Sequence, residues 1–367
     1  MTDGVALAHD YATQRGGAER VALLMAGAFP GSPMYTTLYE PAATYPEFAG
    51  LDVRTVRLNQ VGVLRRHHRA ALPFLARAVG GADPIEADVV LASSTGWAHG
   101  FRTTGRKIVY CHAPARWLYQ ADRYVGPGAR GASYRAALGV IGPSLRRWDR
   151  RAAASADRYL VNSTTTAAAV RDAYGLDAEV LPPPPALTPG GAEEPVPGLD
   201  PGFALCVARL LPYKNVDVVI DAVQQVPGMR LVVVGEGPDR DRLAARVRDH
   251  GRVRLVGRLP DEQLRWCYRQ CAVLVAASYE DYGLSPLEAA SFGRPTVALR
   301  AGGFLDTLVE GSTGVFFDAP RPDAVAGALE VAGARAWDPA VLERHAAAFG
   351  AERFRQRLRA VVAETGR

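Results

Sequence analysis

The 367-residue chain has 43 basic against 38 acidic residues, is 48% hydrophobic and 22% charged, and has no uninterrupted apolar run of about 18 residues. That excludes a membrane-spanning helix and makes two domains the default expectation. Its four cysteines lack CxxC spacing, which argues against a metal site and fits a reducing cytoplasm.

The opening MTDGVALAHDY has no basic stretch followed by a long apolar one, so it reads as a first strand and not as a secretory leader. QRGGAER follows at 14–20. There Gly16 and Gly17 let the backbone approach a ligand, and the helix start behind them offers free N–H groups to an anion. DVVLASS, KIVYCHA and RYLVNS are further short apolar runs with helical stretches between them. His112 ends one of these strands, and Pro114 delays the next helix, which makes His112 a candidate donor or base. Residues 1–181 hold 21 basic and 15 acidic residues, net +6, whereas the remainder holds 22 and 23, net −1. The basic excess therefore belongs to the first half, where RRHHR at 65–69 suggests a basic amphipathic face.

LPPPPALTPGGAEEPVPG, rich in Pro and Gly, reads as a linker over 182–198. Beyond it FALCVARL, MRLVVVGEG, VRLVGRL, AVLVAAS and PTVAL alternate with helices. Apolar strands without a two-residue period imply a buried parallel sheet in each half, with ligands at the carboxyl ends of strands. The expected division is a first domain over 1–181, the linker, a second domain over 199–340 and a terminal helix over 341–367.

VVVGEGPDR resembles a dinucleotide fingerprint, but Arg240 stands where the third glycine belongs. DRD at 239–241 reads as the acidic opening of a helix, not as a metal ligand pair. ARLLPYKN carries Arg209 and Lys214 on one loop before a helix, an arrangement suited to a pyrophosphate. Lys214 is one of only two lysines among the basic residues, so a compact ammonium in place of a guanidinium is a reason for its presence. In SYEDYGLSPLE, Ser285-Pro286-Leu287-Glu288 has the layout of a capping box with Ser285 as N-cap, which gives Glu288 a structural explanation. Glu280, ahead of Gly283, has none from the sequence and is the stronger functional candidate.

Taken together, EDYGLSPLE, ARLLPYKN, VVGEGP, GGAER and YCHAP resemble the retaining glycosyltransferases of family 4, most closely a bacterial mannosyltransferase-like branch. That resemblance implies the GT-B fold, α/β with two doubly wound Rossmann-like domains facing a central cleft. It implies transfer of a sugar, mannose from GDP-mannose in that branch, to a hydroxyl acceptor in glycan, glycolipid or natural-product assembly, without a divalent metal or other cofactor. Arg209 and Lys214 would hold the pyrophosphate with the backbone at Gly16 and Gly17. Glu280 would bind sugar hydroxyls and Glu288 the ribose. Gly257 and Arg258 would face the base, and His112 the transferred sugar. The stretch Tyr282, Gly283, Leu284 and Ser285 would supply backbone N–H groups to the donor, with Tyr282 where phenylalanine is usual. Alternatives are a UDP-sugar donor, a sugar-nucleotide epimerase, or a non-catalytic nucleotide-sugar-binding protein of the same fold. A nucleic-acid partner is not supported, because the basic excess is modest and lacks interleaved aromatics. The expected location is cytoplasmic, with peripheral contact of the basic half with an anionic membrane as a hypothesis.

Overall fold

The computed structural model describes residues 4–120, 129–248 and 251–366, excepting the side chains of 68–70, 73, 129–135 and 137. His68 and Arg69 of the basic run therefore lie outside the described side chains. The chain divides into two compact units, Met1–Pro183 with Ala351–Arg367, and Pro184–Gly350.

The first unit holds strands β1 (Val5–His9), β2 (Met34–Thr36), β3 (Val53–Thr55), β4 (Val89–Ser94), β5 (Arg106–Cys111), β6 (Arg158–Val161) and β7 (Glu179–Val180). They form one parallel sheet in the order β3-β2-β1-β4-β5-β6-β7. One face is covered by the helices Gly17–Ala28 and Ala351–Thr365 through Val21, Met25, Phe354 and Leu358. The other is covered by Leu75 and Val79 of His68–Gly80 and by Val170 of Thr164–Tyr174. With both faces buried, β4 is apolar or small along its whole length, as parallel strands require.

The second unit repeats the plan with β8 (Ala204–Val207), β9 (Leu231–Val234), β10 (Val253–Gly257), β11 (Val273–Ala276), β12 (Thr296–Leu299) and β13 (Gly314–Phe317). Their order is β10-β9-β8-β11-β12-β13, again parallel. Each sheet thus reverses direction once, between β1 and β4 and between β8 and β11. At such a point the flanking crossovers leave to opposite faces and open a crevice at the strands' carboxyl ends.

Two boundaries differ from the sequence expectation. The proline-rich segment is wrapped onto the second unit from Pro184 onward: Leu187 and Val196 bury against Phe203 and Trp266, and the Glu194 N–H bonds Glu262 O at 3.1 Å. The terminal segment is two helices rather than one. Pro339–Ala347 stays with the second unit, packing Leu342 and Ala346 on Ala290. After Gly350, Ala351–Thr365 belongs to the first unit, where Arg357 pairs with Glu179, and Arg158 with both Glu179 and Glu364.

Two buried carboxylates shape the first unit next to its reversal point. Asp10, immediately after β1, accepts from the backbone N–H groups of Thr95, Trp97 (3.1 Å) and Ala98 and from the hydroxyls of Thr95 and Ser94. It therefore satisfies the donors of the turn that leaves β4. Glu19, in the first turn of Gly17–Ala28, folds back over Gly16, where a Cβ would lie 2.5 Å from its Oε2. Burial pushes its pKa up to about 7, against the lowering pull of nearby backbone N–H groups and of Gln14.

Asp10→Ala orphans three backbone donors at about 1–3 kcal/mol each. The urea midpoint should fall by the equivalent of at least ~3 kcal/mol, and by less for Asp10→Asn, which keeps one acceptor oxygen. Glu19 holds its proton in the folded state up to about 7, whereas its ordinary value is 4.5. Its contribution to stability is complete below 4.5 and is lost as the pH rises through about 7. The melting temperature of Glu19→Gln relative to wild type should therefore climb across that interval, and a flat difference would show that Glu19 titrates normally.

Candidate functional site

In the second unit the loops leaving β8 and β11 are joined. The β8 loop passes through Arg209, turns in a short 3-10 helix at Pro212–Lys214, and enters the helix Val216–Gln225 at Asn215. Asn215 adopts a left-handed backbone (φ 53°), and its Nδ2 donates to Ala277 O at 2.8 Å, at the end of β11. One residue earlier, the Lys214 ammonium pairs with the Glu280 carboxylate. Both are largely buried, with side chains 14% and 24% exposed, so the pair is better shielded from water than a surface salt bridge. Lys214 also lies 5.1 Å above the Tyr213 ring, whereas Arg209 is exposed. Glu280 thus has partners that the sequence did not disclose. Its Oε1 accepts from both Lys214 and the Ser278 hydroxyl, and its backbone O accepts from the Gly303 N–H at 2.8 Å.

The structure corrects the capping box. The helix runs Leu284–Ser291, its N-cap is Gly283 with φ 94°, and no side chain caps it. Ser285 and Pro286 therefore sit inside the first turn, and Glu288 falls at the fifth helical position, two residues beyond the one from which a capping box closes. The carboxylate of Glu288 is buried, and Oε2 accepts from Tyr268 Oη at 2.6 Å. Gly283 is pressed against Phe304, whose ring would lie 2.5 Å from a Cβ there, so the N-cap position has no room for a side chain. Leu284 and Ser285 offer the backbone N–H groups that the first turn of a helix leaves unpaired. Tyr282 is buried beside them, which raises the pKa of its hydroxyl.

Glycines hold these loops at backbone distance. A Cβ on Gly235 or Gly237 would come within 2.1 Å of the carbonyls of Ala208 or Leu210, and one on Gly302 within 2.2 Å of Glu280 O. VVVGEGPDR therefore owes its glycines to close packing against the Arg209 loop, which gives them a purpose without a dinucleotide. Asp239 pairs with Arg242 at 2.7 Å and makes no cap, and among the described residues no cluster could hold a metal ion. Gly257 (φ 73°) ends β10 at a register shift, and its carbonyl accepts from the Gly235 N–H at 2.8 Å, with Arg258 exposed beyond it.

In the first unit Gly16 is the extended N-cap of Gly17–Ala28, so the two glycines do sit at a helix start after β1. His112 follows β5 and is buried, and burial, with His9 and Arg116 nearby, depresses its pKa to about 3, so the ring is neutral. Its Nε2 is 2.8 Å from Ser93 Oγ. Sequence reading missed Asp10, Ser93, Asn215, Tyr268, Ser278 and Gly302. For Asn215 a signal was available, because a residue before a helix and after a lysine turn is a natural left-handed position. The others act through register and packing.

Comparison with known proteins agrees with this arrangement of loops on two parallel sheets. A profile described as Glycosyltransferase Family 4 matches residues 15–189, and one described as Glycosyl transferases group 1 matches 193–332. A D-inositol 3-phosphate glycosyltransferase of Acidothermus cellulolyticus is 31% identical over 208 residues, covering 48% of this chain and 45% of that protein. A GDP-mannose-dependent alpha-(1-6)-phosphatidylinositol monomannoside mannosyltransferase of Mycolicibacterium smegmatis is 30% identical over 35% of this chain and 38% of its own. The chain thus spans less than half the length of these two relatives. Among solved structures, the lipopolysaccharide outer core galactosyltransferase WaaB superposes with TM-score 0.67 at 16% identity, covering 98% of this chain and 99% of its own. Anabaena HepE with UDP-glucose superposes equally well, at 17% identity and 98% and 100% coverage. With both profiles matched in order along the chain and both sheets of the expected kind, this protein belongs to the family 4 glycosyltransferases of GT-B fold.

Proposed function

We propose that the protein is a retaining glycosyltransferase that takes a sugar, mannose from GDP-mannose by preference, from a nucleotide diphosphate donor to a hydroxyl acceptor. The observation that carries the reading is the junction at the second unit's reversal point, where Lys214 and Glu280 are paired and Glu288 lies buried one helix turn further on. A cation for phosphate, a carboxylate for sugar hydroxyls and a second carboxylate for ribose are the groups a nucleotide sugar needs. Breaking the sugar–phosphate bond develops negative charge on the departing diphosphate. Lys214, Arg209 and the helix N–H groups at Leu284 and Ser285 would stabilise that charge, in place of a metal. Gly257 and Arg258 would face the base, and Gly16 and Gly17 would bring backbone N–H groups to the phosphates. His112 would hydrogen-bond the transferred sugar. In this reading retention proceeds by same-face attack, with a donor phosphate oxygen accepting the acceptor's proton, so the two glutamates do not form an acid–base pair.

The preference for GDP-mannose rests on the mannosyltransferase relative, and a UDP-sugar is the competing donor, favoured by the UDP complexes of HepE. The acceptor is read as a saccharide or lipid-linked hydroxyl. Near the described arginines Arg57, Arg65 and Arg66, the side chains of Val61, Val63 and Phe74 are exposed by 47%, 60% and 54%. This face is read as a peripheral contact with anionic lipid.

A thermal-shift panel of GDP, UDP and dTDP identifies the base, because a ligand of the native state raises its melting temperature by mass action. GDP should give the largest rise, a larger one with UDP would move the reading to a UDP-sugar, and no shift with any would remove the transferase reading. Glu280→Ala should abolish sugar transfer. Glu288→Gln should raise the donor KM, and Lys214→Arg should cut turnover, since a guanidinium fork does not fit the ammonium's place between Tyr213 and Glu280. The protein should also sediment with anionic vesicles and be released by salt, and recovery in the supernatant at low salt would remove the membrane contact.

A further inference from the structure

His112 is the last member of a buried polar row. Parallel register pairs His9 of β1 with Ser93 of β4, and Ser93 with Tyr110 of β5, two residues before His112. Residues two apart on a strand share a face, so three neighbouring strand ends bring His9, Ser93 and His112 into line. His9 Nδ1 lies 3.0 Å from Ser93 Oγ, and Ser93 Oγ lies 2.8 Å from His112 Nε2. All three are buried, at 1%, 0% and 9% exposure. The backbone of His112 is held as well, its N–H donating to Ser94 O at 2.9 Å and its carbonyl accepting from Asn162 Nδ2 at 3.0 Å.

The chemistry of the row is restrictive. Burial lowers the pKa of both imidazoles, so each is neutral with one N–H and one lone pair. The Ser93 hydroxyl has one proton. To satisfy both rings it must donate to one and accept from the other, which forces the rings into opposite roles towards it. The tautomer of His9, whose ring also interacts with the backbone at Tyr11, therefore sets that of His112 through the shared Ser93 hydroxyl. A carboxylate behind His112 would also orient the ring, but it would favour the imidazolium. A hydroxyl backed by a second neutral ring orients it without adding charge.

We propose that Ser93 and His9 are positioning residues for His112, holding its ring in one orientation and one neutral tautomer so that Nδ1 is the nitrogen it presents to a ligand. The inference rests on the reading of His112 as a contact to the transferred sugar, and it adds the residues that make that contact specific.

The test uses the full chain with 15N-labelled histidine and long-range proton–nitrogen correlation at neutral pH, which reads each ring's tautomer without substrate. Wild-type His112 should show a single neutral tautomer, and Ser93→Ala should shift both ring nitrogens towards averaged values. His9→Asn places an amide where Nδ1 stood and should keep the His112 pattern, whereas His9→Leu should lose it. In GDP release from GDP-mannose, Ser93→Ala should lower kcat about 10-fold with the donor KM unchanged, the worth of one hydrogen bond made in the transition state. In a His112→Ala background the same change should add nothing. An averaged His112 in the wild type, or a spectrum that Ser93→Ala leaves alone, overturns the proposal. If the tautomer shifts as expected while His112→Ala turns over normally, the positioning stands and the sugar contact assigned to His112 is what fails.

Discussion

Where the strand order reverses, the two crossovers leave to opposite faces of the sheet, and the loops at the strand ends lose the support of a neighbouring crossover. Each unit bridges that gap with one carboxylate. In the first, Asp10 collects the N–H groups of the turn after β4, a negative group surrounded by donors from the other side of the reversal. In the second, Glu280 after β11 takes the ammonium of Lys214 from the loop after β8, and Asn215 adds a neutral bond to Ala277 O. The two solutions differ in a way that matters for function. Asp10 is spent on backbone donors and has become part of the scaffold. Glu280 is bonded instead to a side chain, the Lys214 ammonium, carried by another loop.

The second unit achieves its geometry by leaving out side chains. Gly235, Gly237, Gly302 and Gly303 sit where another backbone passes too closely for a Cβ, and all of them face the loops that carry Arg209, Glu280 or Tyr282. Backbone in direct contact with backbone is stiff, since no rotamer can absorb a displacement. The loops at this reversal point are therefore held backbone to backbone although they are irregular.

Much of this was legible in advance. Strand and helix alternation, the apolar strands and the proline-rich break are local patterns, and they gave two parallel sheets joined near residue 183. Loops after strands were taken as the places to look. What escaped was set by register. Nothing in VLASS marks Ser93 as lying between two histidines, because the pairing of β1 with β4 and of β4 with β5 is a property of the folded sheet. The proline-rich segment looked free because prolines remove donors, yet Leu187 and Val196 were enough to anchor it.

The two glutamates exchange their standing. Ser285-Pro286-Leu287-Glu288 spelled a capping box, but the helix starts after the left-handed Gly283 and leaves that box inside its first turns. Glu288 loses the capping role and is a buried carboxylate that accepts from the Tyr268 hydroxyl. Glu280 gains partners and with them an ordinary reason to be where it is. Both can still serve a nucleotide sugar, but the weight shifts. Under the proposed reading, phosphate would recruit Lys214 from its pair with Glu280, and a sugar hydroxyl would then replace the donor that Glu280 loses. In that reading, binding at the two ends of the donor would thereby be coupled through one ion pair, with the pyrophosphate helping to create the site that the sugar fills.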